Sequence, residues 1–274
     1  MSTKKTVAAI KGSLYGKAES YWAWIIGLNV AFMLFSLLAA VTHWKWLLLA
    51  IAVGAILLPI MTTLLKELAS GFVTKAERVR RAMILSDSLE KDLPARDQAV
   101  IRSWVPQSEL VDAAFVPNYF DSKIRPGGAR RFSDNLCESA YFTAIYAGRA
   151  RQGLVGLCVG ASVILVIVLA MLASVPMSPD VTLTISKVVI AMVGLFVAGD
   201  VASLAWKYWE LEMQAERTRD ETNNMRNGSP LIEDVFSVFE DYNAVAIQCP
   251  PLPTWIHLKM MKEVNKDYRQ SHKV

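Results

Sequence analysis

The chain has 274 residues, 53% of them in the AVILMFWYC set, with a mean hydropathy of +0.31 and a formal net charge of +4. Only 20% are charged, less than the roughly 25% of an ordinary soluble domain. The apolar residues gather in four blocks, residues 21–41, 46–65, 153–175 and 188–206, and the charge lies between them. This excludes a soluble enzyme, a secreted disulfide scaffold and a disordered tail.

Each block reaches or approaches the ~20 apolar residues that cross about 30 Å of hydrocarbon as a helix. Strand-like alternation is absent, so helices must satisfy the backbone in lipid. Block one is too long for a signal-peptide core and leads through Thr42-His43-Trp44-Lys45 into block two, which reads as a retained hairpin. Block two continues as an amphipathic helix. Leu65, Leu68, Phe72, Ala76, Val79 and Met83 draw an apolar stripe at spacings of three and four, opposite Lys66, Glu67, Lys75, Glu77, Arg78 and Arg81.

Pro94, Pro106, Pro117 and Pro126-Gly127-Gly128 then cut residues 92–131 into short pieces. Trp104, Phe115, Tyr119 and Phe120 among them call for a packing partner. Block four extends through residues 207–220, where Trp206, Trp209 and Met213 keep helical spacing, until Asn223, Asn224, Asn227, Gly228 and Pro230 break it. A helix over 231–242, an extended Cys249-Pro250-Pro251-Leu252-Pro253 connector and a last helix from Thr254 to about Tyr268 follow.

Lys4, Lys5, Lys11 and Lys17 precede block one; Lys66, Lys75, Arg78, Arg80 and Arg81 follow block two. Arg130, Arg131, Arg149 and Arg151 precede block three, and Lys207, Arg217 and Arg219 follow block four, whereas the short connections hold Lys45 and Lys187. By the positive-inside rule both termini and the centre face the cytoplasm. The expected fold is an all-α integral membrane protein of two transmembrane hairpins, four spans, with a helical cytoplasmic domain. Its parts are an N-terminal segment 1–20, hairpin 21–65, cytoplasmic segment 66–150, hairpin 151–206 and tail 207–274. The basic excess suits an anionic inner leaflet and needs no DNA or RNA polymer. Cys137, Cys158 and Cys249 form no disulfide or zinc spacing.

No nucleotide-binding, hydrolase or metal motif occurs, so no catalytic residue, metal or cofactor is expected, and His43, His257 and His272 read as ordinary surface or interface residues. Asp200 is the acid inside a span. An ionisable group there costs about 2.5–3.5 kcal/mol, so it faces protein or water, either lining a cation path or gate, or snorkelling inward, or pairing with Lys207 or a cation of a neighbouring helix. Pro59 removes a backbone hydrogen bond from span two and marks a kink, a static one or a hinge. Gly156 and Gly160 form a close-packing motif in span three. Lys123, Arg125, Arg130 and Arg131 around a Gly-Gly turn are the best candidate for a phosphorylated ligand, the alternative being a solvated loop beside lipid headgroups.

Three short runs carry a resemblance: Leu14-Tyr15-Gly16-Lys17-Ala18 before the first hairpin, Trp104-Val105-Pro106, and Cys249-Pro250-Pro251-Leu252-Pro253-Thr254-Trp255. With the two-hairpin layout, they resemble the SMODS-associated four-transmembrane effector family of bacterial cyclic-oligonucleotide antiphage systems. The chain departs from the family at Ser133-Asp134-Asn135-Leu136-Cys137-Glu138, where a Gln-Arg and a Trp-Asp are usual. The resemblance implies a homo-oligomeric effector of the bacterial inner membrane that permeabilises it on a cytoplasmic cyclic-nucleotide signal, with a cyclic oligonucleotide as ligand. The competing expectation is a membrane-anchored scaffold that recruits a cytoplasmic partner without conducting.

Overall fold

The structure is a computed structural model that describes residues 3–42, 45–106, 126–174, 201–226 and 228–253, with Ile256 and Val264. Six helices make up the regular structure of these residues: α1 (Thr3–Thr42), α2 (Lys45–Leu89), α3 (Ala95–Ser103), α4 (Ala129–Ser174), α5 (Val201–Arg226) and α6 (Ile232–Gln248). Thus the all-helical class holds, and α1 and α2 are long and apolar enough to cross a membrane. Block four before residue 201, the aromatics Phe115, Tyr119 and Phe120, and most of the last expected helix lie outside the described residues.

The chain divides into two compact units. A helical body takes Met1–Glu19, Ala69–Ala150 and Lys207–Val274, and an apolar unit takes Ser20–Leu68 and Arg151–Trp206. Helices α1, α2 and α4, of 40, 45 and 46 residues, contribute to both. At 1.5 Å per residue each is about 60–70 Å long, roughly twice the hydrocarbon thickness.

In the body, α1 buries Val7, Ile10, Leu14 and Ala18, a three-and-four spacing that makes one face. Val7, Ile10 and Leu14 pack with Ala76 and Val79 of α2, with Ile101 of α3 and with Val105 just after it, Trp104 leaning on the same cluster. A second cluster joins Ile84, Phe132, Leu136, Ala144, Ala215, Val235, Phe239 and Tyr242. Phe132 meets Phe236 and Phe239 edge-to-face at centroid distances of 5.0 and 5.1 Å, the arrangement that aromatic quadrupoles favour. Helix α4 is buried on every side from Arg131 to Ala140, which makes it the central strut of the body.

Two periodicity readings change. On α2 the buried line runs through Ala69, Val73, Ala76, Glu77, Val79 and Arg80, while Leu68 is exposed. Glu77, expected on the polar face, turns inward because Arg80 neutralises it there. On α5 the stripe of Trp206, Trp209 and Met213 is exposed, and Ala205, Tyr208, Leu211, Ala215, Thr218 and Thr222 are buried. Small residues on that side let α5 approach α4 closely: Ser133 Oγ donates to Thr222 O at 3.1 Å. Helix α6 runs six residues past the expected end, because Asn243 and Ala246 continue its buried face.

The apolar unit presents Trp24, Ile26, Leu34, Phe35, Leu49, Ile56, Leu64, Val159 and Val166 outward, the inverse of a soluble surface. Its α1 and α2 run antiparallel, with the Phe32 ring against Gly54: a Cβ there would lie 2.9 Å from Cε2. Helix α2 continues through Pro59, and Thr62 Oγ1 donates to Pro59 O at 3.1 Å.

Truncating Phe132 to alanine removes the ring shared by the second cluster and is expected to cost about 3–5 kcal/mol. Leu231→Ala, at a 64% exposed position, should stay within about 0.5 kcal/mol. Chemical denaturation of the detergent-solubilised chain reads both.

Candidate functional site

The body encloses a polar centre built on Arg80. Its side chain is 7% exposed and that of Glu77 10%, one helical turn away on α2. Nε donates to Glu77 Oε2 at 2.6 Å, Nη1 to Ser139 Oγ at 2.9 Å and Tyr242 OH at 3.2 Å, and Nη2 to Asn243 Oδ1 at 3.2 Å. The guanidinium carbon lies 4.8 Å from the Tyr242 ring centroid. Tyr242 OH donates its own proton to Thr143 Oγ1 at 2.7 Å, and Tyr15 OH donates to the other oxygen of Glu77. One guanidinium thereby ties α1, α2, α4 and α6 together. Arginine suits this position because its planar fork of five donors can reach acceptors in several directions at once.

A second cluster caps α2. Lys91 N donates to Ser86 O at 3.2 Å and Glu90 N to Asp87 O at 3.4 Å, the bond pair of a Schellman ending. Glu90 occupies the left-handed position at φ 53 where glycine is usual. Its carboxylate pairs with Arg131, which also donates from Nη2 to Asp87 Oδ2 at 3.1 Å. Asn135 Nδ2 donates to Asp87 Oδ2 and Ser88 Oγ at 3.1 and 3.0 Å. Gly128 N donates to Ser88 O at 2.9 Å.

This geometry bears on the phosphate candidates. Lys123 and Arg125 lie outside the described residues. Arg131 turns inward onto two carboxylates, and a phosphate would have to displace them. Arg130 is exposed and donates from Nη2 to Gly228 O at 3.2 Å, and the Gly128 amide is spent on Ser88. Asp200 also lies outside the described residues. Pro59 is exposed in the apolar unit. Gly156 and Gly160 face outward on α4, and an added Cβ at either would meet nothing within 4 Å, so among the described residues they make no packing contact within the chain. Among those residues, no three His, Cys, Asp or Glu side chains gather as a metal site.

The three sequence runs find places in the body. Leu14 and Val105 share one apolar cluster, flanked by Tyr15 and Trp104. Cys249, Pro250 and Pro251 are buried: Tyr208 OH donates to Pro251 O at 3.0 Å and Cys249 Sγ to Lys207 O at 3.7 Å. Sequence reasoning missed Arg80, Ser139, Tyr242 and Asn243. The one signal for them is a cation on the turn that carries a buried apolar line. No family model, curated protein or solved structure matches the chain.

Arg80→Ala leaves Glu77 buried without its partner and is expected to cost about 3–5 kcal/mol. Arg81→Ala, which removes a half-exposed pair with Glu240, should cost about 0–1 kcal/mol. Denaturant titrations of the two variants side by side give the contrast.

Burial raises the Cys137 and Cys249 thiols above the usual 9.0, and burial likewise raises the Tyr208 phenol. The folded chain therefore keeps protons that the unfolded chain releases. This stability is fully present below pH 9 and is lost as pH rises above it. A pH series of melting temperatures should stay level for these groups to pH 9 and then decline, and Cys249→Ala should flatten the decline.

Proposed function

We propose that the chain is an oligomeric membrane effector that permeabilises the bacterial inner membrane on a cytoplasmic signal. In this reading the two hairpins make four spans, both termini are cytoplasmic, and the helical body senses the signal. A cyclic oligonucleotide fits the resemblance as that signal. Four spans per chain are few for a conduit, so symmetry about an oligomer axis would build the pathway.

The observation that carries this reading is the continuity of α1, α2 and α4, each of which supplies residues to the body and to the apolar unit. A shift of these helices at the Arg80 centre moves elements that extend into the lipid-facing unit, which is what a signal-gated effector needs. The outward rows of Trp, Ile, Leu and Val in the apolar unit support membrane embedding. Gly156 and Gly160, exposed among the described residues, would serve contacts between copies.

The test is expression in bacteria with an inducible cyclic-oligonucleotide synthase while a dye follows membrane potential. Wild-type chain should depolarise cells only with the synthase induced, and Asp200→Asn reports whether that acid lies on the path. An intact potential in every arm, with the protein located in the membrane, overturns permeabilisation and favours the scaffold.

A further inference from the structure

Two polar side chains are buried among the described residues of the apolar unit, Asn29 on α1 and Thr62 on α2, each 4% exposed. The apolar run of α1 starts at Tyr21, so Asn29 lies about 12 Å of helix rise further on, near the middle of a ~30 Å hydrocarbon core. Polar side chains at that depth usually act as glue, bonding across to a neighbouring helix. Among the described residues Asn29 does not, and neither does Thr62, which lies nearer the end of the apolar run at Leu65. Asn29 Nδ2 donates to Ile25 O of its own helix at 2.9 Å, and Thr62 Oγ1 donates to Pro59 O of its own helix at 3.1 Å. Among the described residues, Asn29 Oδ1 is buried with no hydrogen-bond partner.

The donors and acceptors of these groups then fix the chemistry of what they can hold. Both side chains have spent a proton on their own backbone and keep oxygen lone pairs. A buried carbonyl oxygen without a donor costs free energy where no bulk water reaches. Asn29 keeps one amide N–H, but its unpartnered atom is the acceptor Oδ1, which water or a small cation would satisfy.

We propose that Asn29 forms a polar site inside the apolar unit that takes water or a small monovalent cation. The site lies on the conduction path of the effector, and that second half rests on the permeabilising reading. Asn29 is a path residue in this account, distinct from Asp200.

The full chain, reconstituted in phosphatidylethanolamine–phosphatidylglycerol vesicles, gives the test. Cys158→Ala supplies the background, in which the buried Cys137 and Cys249 remain. Asn29→Cys is labelled with trimethylammonium-ethyl methanethiosulfonate and compared with Ile26→Cys, an outward position three residues away. Labelling at 29 should be at least tenfold faster, and faster than with the anionic sulfonatoethyl reagent. Equal or slower labelling at 29 overturns the site; if Asn29→Cys fails to insert, Ile25→Cys, one turn back on the same buried face, reads the same comparison.

In cells, Asn29→Leu should abolish synthase-dependent depolarisation while membrane insertion and melting temperature hold or rise. Unchanged depolarisation overturns the path role. Fast labelling at 29 with no depolarisation by the wild-type chain supports the site and overturns the permeabilising reading instead.

Discussion

A guanidinium taken out of water must find an acceptor for its donors or the body cannot close around it. Arg80 meets that demand with Glu77, Ser139, Tyr242 and Asn243, which come from three helices, and Glu77 draws in Tyr15 from a fourth. Desolvating such a pair costs several kcal/mol per ion, so its geometry is unforgiving. Apolar contacts such as Phe132 against Phe236 and Phe239 stabilise the body without fixing the order in which helices meet. The arginine fixes it, since those acceptors come together in one arrangement of α1, α2, α4 and α6.

That constraint has consequences along α4. Its turns from Arg131 to Ala140 are buried all round, yet they read Arg-Phe-Ser-Asp-Asn-Leu-Cys-Glu-Ser-Ala. The polar members have partners on neighbouring elements: Arg131 on Asp87 and Glu90, Asn135 on Ser88, Ser133 on Thr222, and Asp134 with Arg226 at 2.7 Å. Each side of the strut thus carries a polar bond as well as an apolar contact. Such a body resists a gradual slide, because displaced partners would be left buried and unpaired. A discrete rearrangement is the physically natural response to a ligand or partner, and α1, α2 and α4 continue from it into the apolar unit.

The apolar unit follows the opposite rule. Many bulky side chains point outward, while Ile25, Asn29 and Thr62 are buried and Gly54 makes room for Phe32. Asn29 and Thr62 are the exceptions in its packing, and both serve their own helix rather than a neighbour. A site that is polar, buried and not used to hold helices together is where solvent would enter an otherwise dry assembly.

The sequence by itself determined the helical class, the two long apolar helices at the N-terminal end and the break after α5, because run length and Asn-Gly-Pro punctuation are local properties. It did not determine which faces are inside. Glu77 and Arg80 belong to a charged stretch that periodicity assigns to solvent, and only the approach of α4 and α6 made their burial favourable. Trp206, Trp209 and Met213 draw an apolar stripe that the fold leaves exposed, because Ala205, Ala215 and Thr218 on the other side allow closer packing. Arg131 reads as a free cation beside a Gly-Gly turn until Asp87 and Glu90 arrive from forty residues away. Long-range charge pairing and close approach depend on which helices meet. That is a property of the tertiary arrangement, and no local window of sequence contains it.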